Sequence, residues 1–232
     1  MSVLEIKNMT AFYDDFQALF GIDLSIEKGE TVAAIGANGA GKSTFLRSIT
    51  GLVQNNADKF IYKDINLIGK AAFDIVGLGI AMVPEGRKLF PSLSVEENLL
   101  IGAFGQRPGN WTLDRVYQMF PKLKQRKDIA GTALSGGEQQ MVAIGRALMS
   151  NPDMLLCDEL SLGLAPIIIK DIYGALPGIK AEGVSLLIVE QDINQALEIA
   201  DRVYCFQEGK ISLTGKPEDL TKEQIAAAYF GR

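Results

Sequence analysis

The residues with the most evident chemistry in this sequence form a glycine-rich loop that ends in a lysine and a serine. Residues 36–43 match the pattern G-x-x-x-x-G-K-[ST] in full, after the apolar run TVAAI and before a helix-like segment. In such a loop, backbone N–H groups and a helix N-terminus surround phosphate oxygens with positive potential. The lysine reaches the β and γ phosphates, and the serine hydroxyl ligates Mg²⁺. We predict a nucleoside triphosphate site made of Gly36, Ala37, Asn38, Gly39, Ala40, Gly41, Lys42, Ser43 and Thr44.

A purely structural glycine turn would not require the Lys-Ser pair, but kinases, GTPases and many ATPases share this loop. A second feature narrows the chemistry. Asp158 and Glu159 follow the apolar run MLLC farther along the chain. A carboxylate at the end of such a strand can hold Mg²⁺ or its waters, and we assign this role to Asp158. Glu159 is predicted to orient or deprotonate the attacking water. Two acids that simply face solvent are the alternative, which the complete phosphate loop disfavours.

Strands and helices must position these groups. The first 30 residues alternate apolar and polar side chains, which predicts antiparallel strands. Residues 153–158 and 185–190 are short apolar runs typical of buried parallel strands, with a helical stretch over 166–181 between them. Residues 85–150 are predicted to be mostly helical. The tail is predicted to be a helix opened by Thr221, with Gln224 at the capping-box spacing.

This alternation predicts an α/β fold with a mainly parallel sheet, an N-terminal antiparallel β part and a helical subdomain. We expect one domain over residues 1–232. Its catalytic core would comprise about 1–84 and 151–232, and the helical subdomain about 85–150.

Composition excludes several function classes. The chain of 232 residues has 23 Lys and Arg against 28 Asp and Glu, a net charge of −5, which disfavours general binding of nucleic acid. It contains no histidine, so histidine metal sites and histidine general bases are excluded. No apolar run approaches the roughly 20 residues of a membrane span, and we expect no signal peptide. Cys157 and Cys205 lie in apolar strand-like runs, which favours buried thiols over a disulfide.

A third motif lies between the phosphate loop and the apolar run that precedes Asp158. Residues 134–140 read LSGGEQQ and precede a helix-like segment. Ser135 and Glu138 have the spacing of a capping box. The two bare glycines between them would leave backbone N–H groups exposed at a helix N-terminus, where an anion is favoured. A capped helix start and a phosphate receptor are compatible interpretations.

LSGGEQQ resembles the signature motif of ABC ATPases, and together with the phosphate loop and the Asp158–Glu159 strand the resemblance covers most of the chain. It implies the ABC ATPase fold, ATP and Mg²⁺ as ligands, and two such subunits enclosing two ATP molecules. Ser135, Gly136, Gly137 and Glu138 would then face a nucleotide held by the partner subunit.

Further matches follow from the same resemblance. Tyr13 resembles the aromatic residue that stacks on adenine, with a strand-core tyrosine as the alternative. Residues 161–165 resemble the loop that crosses the dimer interface. Residues 83–100 resemble the phosphate-sensing loop and the permease-docking surface, where Phe90, Leu93 and Val95 line a groove or belong to the core.

Three positions depart from the common family residues. Glu85 stands where most members have a glutamine that contacts the metal or its water, and we assign it to the metal site. Gln191 stands where most have a histidine that reads the γ-phosphate; it can still donate a hydrogen bond but carries no titratable proton. Leu160 replaces the usual proline. These changes bear on the rate of hydrolysis more than on ATP binding. Because Lys42 and Glu159 are intact, we expect turnover, with Lys42, Glu159 and Gln191 as the catalytic residues.

The strings VPEGRKLFP, VEENL, SLGLAP and VEQ resemble the shorter ATPase of branched-chain amino-acid importers. The resemblance implies a peripheral subunit on the cytoplasmic side of the cell membrane. Its partners would be permease subunits, a second ABC ATPase in a heterodimer or a second copy in a homodimer, and indirectly an extracellular or periplasmic substrate-binding protein. An importer of urea or short amides, a soluble ABC ATPase with a cytosolic partner, a non-hydrolysing ATP switch and a P-loop kinase are the alternatives.

Overall fold

The computed structural model describes residues 2–230. In chain order, the strands are β1 (Ser2–Tyr13), β2 (Phe16–Glu27), β3 (Thr31–Ile35), β4 (Gln54–Asn56), β5 (Lys59–Tyr62), β6 (Ile65–Asn66), β7 (Ile80–Val83), β8 (Met154–Asp158), β9 (Ser185–Glu190), β10 (Arg202–Gln207) and β11 (Lys210–Gly215). The α-helices are α1 (Lys42–Ile49), α2 (Ala72–Gly77), α3 (Val95–Gly102), α4 (Leu113–Met119), α5 (Pro121–Gln125), α6 (Gly136–Leu148), α7 (Pro166–Ala181), α8 (Ile193–Ile199) and α9 (Lys222–Phe230). The chain forms two compact units, one that runs to Ile75 and resumes at Ser185, and one that spans Val76–Val184.

The first unit opens with an antiparallel sheet. β1 pairs with β2, β4 and β5, and β5 pairs with β6, all antiparallel. The alternation of apolar and polar residues explains the pairing, because Leu4, Ile6, Ile22 and Ile26 are all fully buried on one side of the sheet. The antiparallel strands predicted for the first 30 residues are confirmed, whereas the short strands β4 and β6 were not predicted.

The same unit contains parallel strands that support the phosphate loop. β3 lies between β9 and β10 and is parallel to both, and β11 pairs antiparallel with β10. Every residue of β3 and β9 is buried, which fits their nearly continuous apolar sequences. Ala196 of α8 and Ile225 of α9 pack with Ile35 and Cys205 in one buried cluster. The carboxyl end of β3 is therefore fixed from both sides and by a helical layer.

Two predicted helix boundaries in this chain are confirmed. α9 begins after Thr221, whose hydroxyl accepts from the Gln224 N–H at 3.2 Å, while the Gln224 side chain accepts from the Thr221 N–H at 2.8 Å. In the second unit, α7 covers Pro166–Ala181 as predicted, with Pro166 in the first helical turn, where its missing N–H costs nothing.

The second unit joins two parallel strands, β7 and β8, to the helices α3 to α7. α3 packs against α6, where Gly145 leaves room for Leu99 and Val116: a Cβ at this position would lie 2.7 and 2.8 Å from their methyl groups. The prediction that residues 85–150 are mostly helical is correct for α3 to α6 and wrong for residues 85–94 and 103–112, which are irregular. β7 lies in an apolar run whose strand character was not predicted.

The predicted α/β class, with an antiparallel N-terminal part, parallel strands and helices, is confirmed. The predicted bounds of the catalytic core and the helical subdomain stay a prediction. Both cysteines are free and buried, as expected. Among residues 2–230, no helix has both the length and the apolar character that a membrane span requires.

Candidate active site

The phosphate loop, residues 36–44, leaves the carboxyl end of β3 and leads into α1. Gly36 lies against the backbone of β10, and a Cβ at this position would collide with the Phe206 carbonyl. Gly41 has φ +102°, and a Cβ there would lie 2.9 Å from a Leu19 methyl group. The glycines therefore serve close backbone approach and a left-handed turn, as the loop sequence predicts.

Lys42 holds this loop in shape. Its side chain is only 4% exposed, and its ammonium donates to the Gly36 carbonyl at 2.6 Å and to the Ala37 carbonyl at 3.0 Å. A buried ammonium needs such partners, since desolvation of an isolated charge is costly. The cation thus lies inside the turn of the loop, where an anionic ligand would meet it.

The start of α1 offers the complementary feature. Its N-cap is Gly41, which has no side chain to cap the helix, and its first turn reads Lys42, Ser43, Thr44, without an acid. The N-terminal backbone N–H groups of a helix favour an anion. The donor set of this loop is therefore suited to phosphate, and it places the Ser43 hydroxyl in the first helical turn.

Tyr13 and Gln191 lie beside the phosphate loop in the first unit. Tyr13 ends β1, is 40% exposed and has its hydroxyl 3.4 Å from Thr44 Oγ1. Tyr13 is therefore not buried in the core of its strand, and its ring is accessible for the predicted stacking on adenine. Gln191 follows β9, whose last residue Glu190 pairs with Ile35. Asp192 caps α8 through the N–H of Asn194 at 2.9 Å and so fixes the turn after Gln191.

The carboxylates belong to the second unit. β7 and β8 are parallel, and Val83 pairs with Cys157, so the residues that follow these two form neighbouring strand ends. Asp158 is 1% exposed, Glu159 is half-buried, and Glu85 is exposed. The structure thus brings Asp158 and Glu159 to the strand end next to the one that leads to Glu85.

Glu159 has an unusual backbone. Its φ is +50°, in the left-handed region that non-glycine residues rarely adopt. Such strain costs about 1–3 kcal/mol and is found where a side chain must point in a particular direction. The next residue, Leu160, is fully buried and anchors the turn. The strain at the predicted catalytic glutamate is consistent with a constraint from function.

The signature segment, residues 134–140, begins α6 with a complete capping box. The Ser135 hydroxyl accepts from the Glu138 N–H at 3.3 Å and donates to the Glu138 carboxylate at 2.8 Å, and the Ser135 N–H donates to the same carboxylate at 2.9 Å. The backbone N–H of Ser135 is the main reason that the pKa of Glu138 lies below its usual value. The predicted helix start is confirmed.

The two glycines of this segment differ. Gly136 is half-exposed, and a Cβ on it would lie 3.4 Å from the Arg87 guanidinium. Gly137 is buried, and a Cβ there would collide with Ile168 of α7. The expectation of two exposed glycines is therefore wrong for Gly137, which α7 covers. An anion at this helix start would meet Ser135 and Gly136 first.

Residues 84–94, which connect β7 to α3, are held by side chains that the sequence did not single out. Asn98 is fully buried; its side chain accepts from the Phe90 N–H at 2.9 Å and donates to the carbonyls of Phe90, Leu93 and Ser94. Val95 is buried in the core, whereas Phe90 is 45% exposed. The two interpretations of this segment therefore apply to different residues, core for Val95 and surface for Phe90.

The predicted site residues form two sets. The first unit contains the phosphate loop with Tyr13 and Gln191, and the second contains Glu85, Asp158, Glu159 and the signature segment. In residues 2–230, no group of three or more Asp, Glu, Cys or His side chains could hold a metal alone. Mg²⁺ prefers one or two carboxylates combined with substrate phosphates and water, and the residues present fit that preference.

Comparison with known proteins agrees with these features. A family model described as ABC transporter matches residues 19–161. The chain is 44% identical to the high-affinity branched-chain amino acid transport ATP-binding protein BraG of Pseudomonas aeruginosa, over 99% of this chain and 100% of that protein. It is 32% identical to the probable branched-chain amino acid transport ATP-binding protein LivF of Archaeoglobus fulgidus, with coverages of 96% and 95%. It is 30% identical to the lipopolysaccharide export system ATP-binding protein LptB of Haemophilus influenzae, with coverages of 100% and 98%.

Solved structures show the same fold. The ADP conformation of MJ1267, an ATP-binding cassette of an ABC transporter, matches with a TM-score of 0.83 and 28% identity, over the whole of both chains. The dimeric post-hydrolysis state of the ATP-binding cassette MJ0796, bound to ADP and Pi, matches with a TM-score of 0.82 and 25% identity, over 92% of this chain and 98% of that one.

Proposed function

The chain belongs to the ABC transporter family and is an ABC-type ATPase, and from this premise we propose that it drives the import of branched-chain amino acids through separate permease subunits. The observation that carries the proposal is the 44% identity to BraG over essentially the full length of both proteins. The segments VPEGRKLFP, VEENL, SLGLAP and VEQ, which follow the phosphate loop, also support an importer of branched-chain amino acids, because they resemble the shorter ATPase of such importers.

In this proposal the first unit binds the nucleotide. The backbone of residues 36–44 and the start of α1 receive the phosphates, and Lys42 neutralises their charge. The Tyr13 ring stacks on the adenine, which its 40% exposure and its proximity to Thr44 allow. Gln191 donates a hydrogen bond to the γ-phosphate from its position next to the end of β3.

The second unit supplies the acidic groups. Asp158 and Glu85 hold the metal or its waters together with Ser43, and Glu159 orients the attacking water and accepts its proton. When bound, Mg²⁺ would neutralise charge on the phosphates. The strained backbone of Glu159 supports this role, because it fixes the direction of a half-buried carboxylate.

Hydrolysis in this proposal needs two ATPase subunits. Ser135, Gly136, Gly137 and Glu138 would approach a nucleotide held by the partner, and a likeness to a dimeric cassette supports this arrangement. We propose a heterodimer with a related ATPase, and a homodimer is the alternative. The dimer would lie on the cytoplasmic side of the membrane against permease subunits, and a substrate-binding protein would meet the permeases on the other side.

An exporter subunit is the second candidate, because the chain is 30% identical to LptB over its full length. The difference between 44% and 30% identity favours the importer. Importers of urea or short amides remain close alternatives, since the transported molecule is bound by other chains.

The test is uptake of radiolabelled leucine, isoleucine and valine by cells that lack this chain. Wild type and a Lys122→Met control, which changes an exposed lysine of α5, should restore uptake, and Lys42→Met should not. Normal uptake of all three amino acids in the deletion strain would refute the import proposal. Loss of surface lipopolysaccharide in the same strain would favour the exporter, and loss of urea or amide uptake would favour those substrates.

A further inference from the structure

Arg146, near the end of the signature helix α6, contacts a backbone segment that is strained. Residues 86–88 have φ values of +71°, +65° and +47° and form a left-handed turn after β7. Gly86 adopts such a conformation without penalty, but Arg87 and Lys88 do not, because their Cβ atoms crowd the following carbonyl. A turn with two such residues persists only where its surroundings hold it.

The guanidinium of Arg146 is the group that holds this turn. Its Nη1 donates to the Lys88 carbonyl at 2.7 Å and its Nη2 donates to the Arg87 carbonyl at 3.0 Å. The same guanidinium lies 5.6 Å from the centre of the Phe90 ring, within range of a cation–π contact. The planar guanidinium of Arg146 thus donates to two successive carbonyls and lies over an aromatic ring, a combination that lysine cannot reproduce.

Arg146 is itself fixed. The side chain is half-buried, and this burial lowers the pKa of the guanidinium from its usual value. Its backbone carbonyl abuts Gly102 at the end of α3, where any Cβ would collide with it. Two helices therefore determine where the guanidinium lies.

The turn also reaches back to the start of α6. The Arg87 side chain donates to Gln140 Oε1 at 3.3 Å and to the Leu162 carbonyl at 3.4 Å. Leu162 belongs to the loop that follows Glu159. Both ends of α6 therefore contact residues 86–88, one through Arg146 and the other through Gln140.

We propose that Arg146 is a positioning residue that fastens the left-handed turn to the signature helix, so that Glu85, which precedes the turn, keeps a fixed position relative to Ser135. The proposal rests on the proposed roles of Glu85 and Ser135 in ATP hydrolysis. Arg146 acts through the turn and touches no reacting group.

The test compares Arg146→Lys with Arg107→Lys. Arg107 is a matched control, because it also donates to two backbone carbonyls of the second unit, those of Gly77 and Asn151, while its remaining hydrogen bond goes to Asp153 and none goes to the turn. Amide hydrogen exchange of the isolated chain is measured for peptides covering residues 84–91, followed by ATPase kinetics. We expect Arg146→Lys to speed exchange in these peptides roughly tenfold, since the paired hydrogen bonds that hold the carbonyls of Arg87 and Lys88 are no longer both made and the turn opens more often. It should lower kcat about tenfold with little change in KM, whereas Arg107→Lys changes neither.

A rescue variant separates positioning from general stability. Asparagine tolerates the left-handed region better than lysine does, so Lys88→Asn should raise the Tm of the wild type and restore at least half of the lost kcat in Arg146→Lys. Unchanged exchange over residues 84–91 in Arg146→Lys would overturn the proposal, as would equal losses of Tm and kcat in Arg146→Lys and Arg107→Lys. If Arg146→Lys does not fold, a lower Tm for Lys88→Asn alone would overturn it. A chain without any ATPase activity but with the expected exchange pattern would contradict the catalytic roles and leave the structural link intact.

Discussion

Replacement of Glu159 by glutamine removes the proposed base with the smallest change of shape. The side chain keeps its length, its half-buried position and its left-handed backbone, so the free energy of unfolding should change by no more than about 0.5 kcal/mol. Loss of general-base catalysis lowers rates by about 10²–10⁴-fold. We expect Glu159→Gln to bind ATP normally, to turn over 10²–10⁴-fold more slowly and to accumulate as an ATP-bound dimer.

Steady-state release of phosphate measures the rate, and size-exclusion chromatography with ATP measures the dimer. Glu97→Gln is the control, because Glu97 occupies the capping box of α3 in the same unit and should keep nearly full activity. A second variant, Glu159→Gly, tests the backbone strain at this position. It should raise the free energy of unfolding by about 1 kcal/mol, because glycine adopts a φ of +50° without penalty. It should also abolish turnover, because the proposed base is removed. Near-normal turnover of Glu159→Gln would refute the role of Glu159.

Three further predictions concern the other residues of the site. Gly137→Ala should destabilise the fold by about 1–3 kcal/mol in urea denaturation, because its Cβ collides with Ile168, while Gly136→Ala should be tolerated; equal effects would contradict the packing. Because the Ser135 N–H lowers the pKa of Glu138, the free energy that this capping box adds to stability should be complete above pH 4.5, the ordinary pKa of a glutamate. It should be lost as the pH falls through the lower pKa that Glu138 has in the folded protein, so the difference in unfolding free energy between wild type and Glu138→Gln should shrink over the same range. A difference that does not change with pH would contradict this. Tyr13→Phe should keep the affinity for ATP and Tyr13→Ala should lower it roughly tenfold in a fluorescent-nucleotide titration, since stacking needs the ring; equal losses would assign the effect to the hydroxyl.

The motifs that the sequence predicts well are local. The phosphate loop, the start of α6 at Ser135 and the start of α9 at Thr221 each depend on residues within one or two turns of chain, and the structure has all three. The starting proline of α7 and the buried runs of β8 and β9 are equally local signals. Their agreement with the family comparison confirms the predicted family.

Features that depend on distant contacts were missed. β4 and β6 are short and contain no apolar run, and they become strands because β1 and β5 offer edges to pair with. Arg146 and Lys88 are far apart in sequence, and nothing in either neighbourhood indicates their hydrogen bond. The burial of Gly137 depends on α7, which packs over it. These features depend on tertiary packing between distant segments, and the periodicity of the sequence contains no information about that packing.

A role of this chain in membrane transport can be tested by affinity purification of the tagged chain from solubilised membranes of its source, with mass identification of the proteins that accompany it. We expect recovery of a second ABC ATPase together with two polytopic permeases, and those permeases would narrow the transported substrate. Recovery of soluble proteins alone, with none of the chain in the membrane fraction, would contradict a role in transport.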